Sequence, residues 1–218
     1  MGTELFAVLS TGRHWRAQLL QTQTQPMSDE DRIKWNERYS QPADAPRFPS
    51  QHLLDLDALL PRSGKALDIA GGAGRNSLWL AQRGLEVTLV DISAKGLALA
   101  SERAETAGAT LTTICRDLEQ ESLPVGPWDV MLSFHYLQRS LWPAMRAALA
   151  PGGWLVFVQP TVKNLQRHAR PPRGFLLDEG EGRDVADGLE IVRYDEGWLV
   201  EGRHEVLVVA RRTPTRAL

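Results

Sequence analysis

Three carboxylates and a glycine loop are the residues in this chain best placed to do chemistry. The run Ala66-Leu67-Asp68-Ile69-Ala70-Gly71-Gly72-Ala73-Gly74-Arg75-Asn76 reads as a buried strand, an acid, and a glycine loop that opens a helix. Glycines let a ligand approach bare backbone, and a helix start offers unpaired N–H groups. A carboxylate at Asp68, just ahead of the loop, repels a pyrophosphate and suits an ammonium group. The loop alone is a weak signal, because Ser77 stands where a dinucleotide fingerprint has its third glycine. Two further acids strengthen it. Asp91 closes the second strand, where a carboxylate can accept both hydroxyls of a ribose. Asp117 follows the third strand, where it can accept from an adenine amino group while Ile92 and Leu118 cover the ring faces.

The elements that must position these acids alternate along the chain. Strands are expected at 65–70, 86–91, 110–115, 128–134 and 154–159, each after a turn or helix stop. Helices are expected at 28–40, 50–60, 75–83, after the Ser93 cap, and at 140–149, where Pro143 falls in the first turn. The segment 128–134 is almost wholly apolar, as for a strand covered on both faces. A short polar helix is expected near 178–187, and 189–194 with 204–210 should pair as a hairpin through Gly197–Gly202. This pattern predicts an α/β fold with a doubly wound sheet, whose ligands bind beyond the carboxyl ends of the strands. Asp68, Asp91, Asp117 and Ser133 all fall at such ends. An ammonium-bearing end, a ribose and an adenine together spell S-adenosylmethionine (SAM).

Composition narrows the function further. The chain has 218 residues, 43% of them hydrophobic, enough for one core; a single domain is expected over 28–213. Residues 1–27 read as a disordered extension. The formal net charge of -2 gives no field that would gather nucleic acid or an anionic membrane. A single cysteine, Cys115, excludes an intramolecular disulfide and the iron–sulfur cluster of radical SAM chemistry. It fits a reducing cytoplasm. The histidines are scattered without metal-ligand spacing. No apolar run has the length of a membrane span.

Asp-x-Ala-Gly-Gly-x-Gly-Arg-Asn, the acids after the second and third strands, Trp-Asp-Val-x-Leu-Ser-Phe and Leu-x-Pro-Gly-Gly together resemble the class I SAM-dependent methyltransferases. The likeness runs from about residue 30 to residue 211. Lys34-Trp35-Asn36-Glu37-Arg38-Tyr39 and Phe134-His135-Tyr136-Leu137-Gln138-Arg139 resemble the small tellurite-resistance/thiopurine-like branch. The resemblance implies a Rossmann-like, seven-stranded mixed sheet ending in an antiparallel hairpin. It implies that Asp68, Ala70, Gly71, Gly72, Gly74 and Asn76 hold the methionyl end of SAM. Asp91 would hold the ribose, and Asp117 with Leu118 the adenine, whose ring Ile92 would also cover. Ser133 and Phe134 would line the path to the methyl group, and Trp35 and Tyr39 would form a lid.

The acceptor is less defined. The chain lacks the Asn/Asp-Pro-Pro-aromatic motif used on base amines, and it has no Pro-Cys pair. A small-molecule acceptor is therefore expected, with no DNA and no membrane as partners. A soft anion, a thiolate or a chalcogen oxyanion, attacks the methyl group without a base. A neutral acceptor wants one; His135 is the nearest candidate and Tyr136 the next. Arg38, Arg47 and Arg139 could steer an anionic acceptor. The rival readings are an RNA or protein methyltransferase completed by a partner, a non-catalytic SAM-binding module, and a nicotinamide-dependent oxidoreductase. The oligomeric state stays open between monomer and homodimer.

Overall fold

The alternating segments close into one seven-stranded sheet of order β3-β2-β1-β4-β5-β7-β6. The computed structural model describes residues 29–41, 43 and 45–214. The expected extension, residues 1–27, lies outside them. The strands are β1 (Lys65–Ile69), β2 (Glu86–Asp91), β3 (Leu111–Cys115), β4 (Trp128–Phe134), β5 (Leu149–Pro160), β6 (Glu190–Trp198) and β7 (His204–Arg211). The helices are α1 (Asp29–Tyr39), α2 (Gln51–Leu54), α3 (Arg75–Gln82), α4 (Ala94–Thr106) and α5 (Trp142–Ala148). β1 to β5 run parallel, while β7 is antiparallel to both β5 and β6.

The chain winds outward from β1 to β3, then crosses back to β4 on the other side of β1. The switch point therefore lies between the carboxyl ends of β1 and β4, where Ile69 pairs with Ser133. Because β7 runs the other way, its amino end also points to that edge: Glu205 pairs with Pro160 at the end of β5.

Strand alternation decides which face each side chain meets. Leu67, Ile69, Met131, Leu155 and Phe157 join the core on the α5 side, against Trp142 and Met145. Ala66, Val130, Leu132, Val156 and Val158 join the opposite core, with Leu53 and Leu80 of α2 and α3. Asp68 is two residues on from Ala66, so it faces α3. Glu205 is two residues before Leu207 of that same core, so it faces the same side.

Several boundaries differ from expectation for local reasons. The helix expected at 50–60 is α-helical only over Gln51–Leu54 and continues as turns. The helix expected near 178–187 is a 3₁₀ turn, Glu181–Ala186. Pro151-Gly152-Gly153 does not precede β5 but lies within it. The pairing jumps from Trp128 with Leu149 to Val130 with Trp154, so the triplet forms an irregularity that the left-handed Gly152 permits. Gly197 falls inside β6, and the hairpin turns at 199–203 around Gly202, at φ +86°. Ser93 caps α4 as expected, its hydroxyl accepting from the Gly96 N–H at 3.0 Å, an arrangement worth about 1 kcal/mol.

Candidate active site

Asp68 is the most exacting group at the switch point. It is 1% exposed. Its Oδ2 accepts from the Ser77 hydroxyl of α3 at 2.6 Å, while its Oδ1 is buried with no partner among the described residues. Burial pushes its carboxyl up to about 7, against the opposing pull of the Ser77 hydrogen bond. An orphaned, buried carboxylate oxygen beside a glycine loop is a place for a ligand's cationic donor. Ser77, in the third-glycine position, therefore serves the acid instead of sparing space for a pyrophosphate.

The loop itself is shaped by close approach. Ala70 and Gly72 have φ +53° and +58°, and Gly74 caps α3 at +73°. A Cβ on Gly71 would lie 2.5 Å from Asp68 Oδ2, and one on Gly74 would lie 2.7 Å from the Ala100 Cβ. Asp91 braces the loop: it accepts from Gly72 N and Ser93 N, both at 2.8 Å. Burial raises its carboxyl despite those hydrogen bonds. A third backbone hydrogen bond comes from Ile92, so about one acceptor direction remains on the carboxylate.

Helix α1 lies over this loop. A Cβ on Gly72 would fall 2.0 Å from the Tyr39 hydroxyl, and one on Gly96 would meet the Tyr39 ring at 2.9 Å. Burial, with the nearby Asp91, lifts the Tyr39 phenol to about 12. Asn36 pins the helix by accepting from Ser93 Oγ at 2.9 Å and Lys95 N at 3.2 Å. Trp35 stacks on Tyr39 at 6.1 Å, with Arg38 over its ring at 5.3 Å. Arg103 of α4 clamps the following segment, donating to Ala45 O, Pro46 O and Ala73 O. Arg47 is exposed in that segment, on the Arg103 side.

Asp117 and Leu118 are buried beyond β3, with Ile92 buried beyond β2. The Asp117 carboxylate caps its own turn, accepting from Glu119 N at 3.0 Å and Gln120 Nε2 at 2.9 Å. The Tyr136 hydroxyl donates to Gln138 Oε1 in a short contact. Burial, then Glu119, Asp117 and Asp91, push its phenol well above the ordinary tyrosine range. This direction disfavours the phenolate and runs against the expectation of Tyr136 as a base. Ser133 and Phe134 are buried at the end of β4, the Ser133 hydroxyl donating to Tyr136 O at 3.4 Å.

Two expected residues are diverted. Arg139 forms a two-pronged pair with the Glu181 carboxylate and also donates to Leu176 O, so it ties down a loop instead of facing an acceptor. Asn76 accepts from Ser50 N at 3.0 Å, joining α2 to α3.

One group went unread in the sequence. Glu205, its side chain 1% exposed, accepts from His135 Nε2 at 3.0 Å and His52 Nε2 at 3.3 Å, with Arg203 Nε at 3.4 Å. Burial works to raise its carboxyl, but the two imidazole hydrogen bonds overcome this and hold it well below the usual range. His135 itself sits at φ +59°, its N–H bonded to Val158 O at 2.8 Å. Arg75 feels both Asp68 and Glu205. The available signal was a carboxylate in an otherwise apolar run, at the amino end of a strand antiparallel to the rest.

Size does not locate the site. A cleft of about 620 Å³ lies at the other edge of the sheet, lined by Lys65, Glu86, Thr110 and Trp128 among others. It has none of the orphaned or coupled acids. No metal-ligating cluster occurs among the described residues, and no described helix is long and apolar enough to cross a membrane.

Comparison with known proteins bears on the domain and on the fold. Residues 66–153 match a family model described as a methyltransferase domain. YqeM of Bacillus subtilis (strain 168) is 29% identical over 111 residues, covering 47% of this chain and 44% of that one. The chain thus aligns with less than half the length of this curated relative. The structure of TehB from Haemophilus influenzae superposes with TM-score 0.65 at 22% identity, over 82% of this chain and 67% of that one. A protein studied for the conversion of a disulfide bond into a thioacetal group during echinomycin biosynthesis gives 0.66 at 19% identity, over 88% and 94%. The fold is the Rossmann-like fold of the class I methyltransferases, and the glycine loop and Asp68 fall inside the matched domain.

Proposed function

We propose that this chain, with its class I SAM-dependent methyltransferase domain, transfers a methyl group from SAM to a small molecule with a soft nucleophilic atom, a thiol or a chalcogen oxyanion. The observation that carries the reading is the Asp68 Oδ1: buried, unpartnered, and next to a glycine loop that leaves no room for a Cβ. A cofactor with an ammonium group completes it; a pyrophosphate does not.

The residue roles follow from position. Asp68 takes the ammonium of the methionyl end, with Gly71, Gly72 and Gly74 allowing close approach and Ala70 setting the turn. Asp91, braced by the loop N–H groups, keeps an acceptor direction for the ribose, and Ile92 lies beside it. Leu118 covers the adenine, and Asp117 shapes the turn beneath it. Tyr39 and Trp35 close the lid, while Ser133, Phe134 and His135 border the reacting centre at the switch point. SAM, when bound, supplies a methyl group already activated on a sulfonium. The protein's task is then to hold the acceptor in line and exclude water. Arg38 and Arg47 stay exposed near the lid and can attract an anionic acceptor.

The soft-nucleophile reading is supported by the sulfur chemistry of the echinomycin-pathway protein and by the TehB-like architecture. The net charge of -2 speaks against a nucleic-acid acceptor. The free Cys115 suits action in the cytoplasm. Calorimetric titration with S-adenosylhomocysteine (SAH) and, in parallel, NADH tests the reading. SAH binding without an NADH signal is expected; NADH binding alone would replace the methyltransferase with an oxidoreductase.

A further inference from the structure

Cofactor binding leaves Glu205 unexplained. A buried carboxylate is costly unless its oxygens are well satisfied. Here one oxygen takes His135 and Arg203, and the other takes His52. These partners come from separate elements: the end of β4, α2, and the turn ahead of β7. The left-handed backbone at His135 is an unusual state for a residue with a side chain, and such states mark places where the fold holds a group for use. A carboxylate only accepts, so a neutral His135 facing it through Nε2 carries its lone pair on Nδ1. Its side chain is 31% exposed, and among the described residues no hydrogen bond engages Nδ1.

We infer that Glu205 positions His135 as the proton acceptor of the methyl-transfer step, so that the acceptor is a protic soft nucleophile, a thiol, rather than an oxyanion that has no proton to lose. This rests on the methyltransferase reading above. The step balances simply. The thiol S–H proton passes to His135 Nδ1, giving an imidazolium that faces the Glu205 carboxylate. The sulfur lone pair forms the new C–S bond as the methyl carbon's bond to the sulfonium breaks, and that electron pair stays on the departing thioether. The imidazolium then releases its proton to water. The charged and titratable groups gathered at His135 are Glu205, which it touches, Arg203 and His52 on that same carboxylate, and Arg75, which couples to Glu205.

The test compares wild type with Glu205→Gln, which keeps the shape of the acid, and with His135→Gln. In the protein without ligand, nitrogen NMR should show His135 as the Nε2–H tautomer, and Glu205→Gln should abolish that preference. In turnover, Glu205→Gln should lower kcat/KM about 10-fold or more for an alkyl thiol and leave it nearly unchanged for an acidic aryl thiol already ionised in the assay. His135→Gln should lose about 10²-fold or more with the alkyl thiol, in the range of general-base effects, and should be rescued by added imidazole. A uniform loss across all thiols with an unchanged tautomer would make Glu205 a structural hub and overturn the inference. Transfer to a chalcogen oxyanion but to no thiol would overturn it while leaving the methyltransferase reading intact. Failure of the wild type to bind SAH would overturn both.

Discussion

Replacing Asp68 with Asn separates the cost of the site from its use. Asp68 reaches about 7 when folded, against about 3.9 in an unfolded chain. A raised carboxyl means the folded state keeps a proton that the unfolded chain has released. Its stabilising contribution is therefore full below about pH 4 and is lost as pH rises to about 7. A gap of roughly three units, at about 1.4 kcal/mol each, sets the total at about 4 kcal/mol. Asn keeps a partner for the Ser77 hydroxyl and removes this penalty. At about pH 8, Asp68→Asn without ligand should then be more stable than wild type by up to a few kcal/mol. Binding should move the other way. Loss of a charge-assisted hydrogen bond to the cofactor's ammonium costs about 1.5–3 kcal/mol, or roughly 10- to 150-fold in SAH affinity. In wild type, SAH affinity should strengthen as pH approaches about 7, because the ammonium favours the ionised acid. Denaturant titrations across pH and calorimetry in buffers of different ionisation enthalpy read both effects. An Asn variant that is less stable at about pH 8 and binds SAH as tightly as wild type would refute the reasoning.

Asp91→Ala should weaken SAH binding and also destabilise the protein by about 1–3 kcal/mol, because Gly72 N and Ser93 N lose their acceptor; denaturation and calorimetry measure the two losses separately. Gly72→Ala should be severe alone and milder beside Tyr39→Ala, since its Cβ would fall 2.0 Å from the Tyr39 hydroxyl; a double-mutant cycle in stability should give a coupling of about 0.5–3 kcal/mol. The φ of +58° leaves a residual penalty in both backgrounds. Arg139→Ala should lower stability through the lost Glu181 pair yet leave the acceptor KM unchanged, a split seen by comparing melting with steady-state kinetics. Asn36→Ala should loosen α1 and raise the SAH dissociation rate about tenfold in stopped flow, for the loss of two hydrogen bonds that tie α1 to the start of α4.

What the sequence determined by itself is the local part of this protein. The five parallel strands, the turn stops, the Ser93 cap and the glycine loop each follow from residues a few positions apart, where apolar period and backbone preference act directly. Asp68 and Asp91 could be placed near the carboxyl ends of β1 and β2 for the same reason, since each belongs to its own strand. The tertiary structure decided whatever depends on distant partners. Glu205 meets His135 across 70 positions and His52 across 153, so no window of sequence contains the reason for its burial. Arg139 looked available beside the strand end, but Glu181, 42 positions on, takes it away. Asn76 belongs to the loop in sequence and to Ser50 in space. Pro151-Gly152-Gly153 marks a turn by composition, yet β4 on one side and Arg212 on the other draw it into the sheet. Propensity acts between neighbours along the chain; a buried charge takes whichever partners the fold brings within about 3 Å.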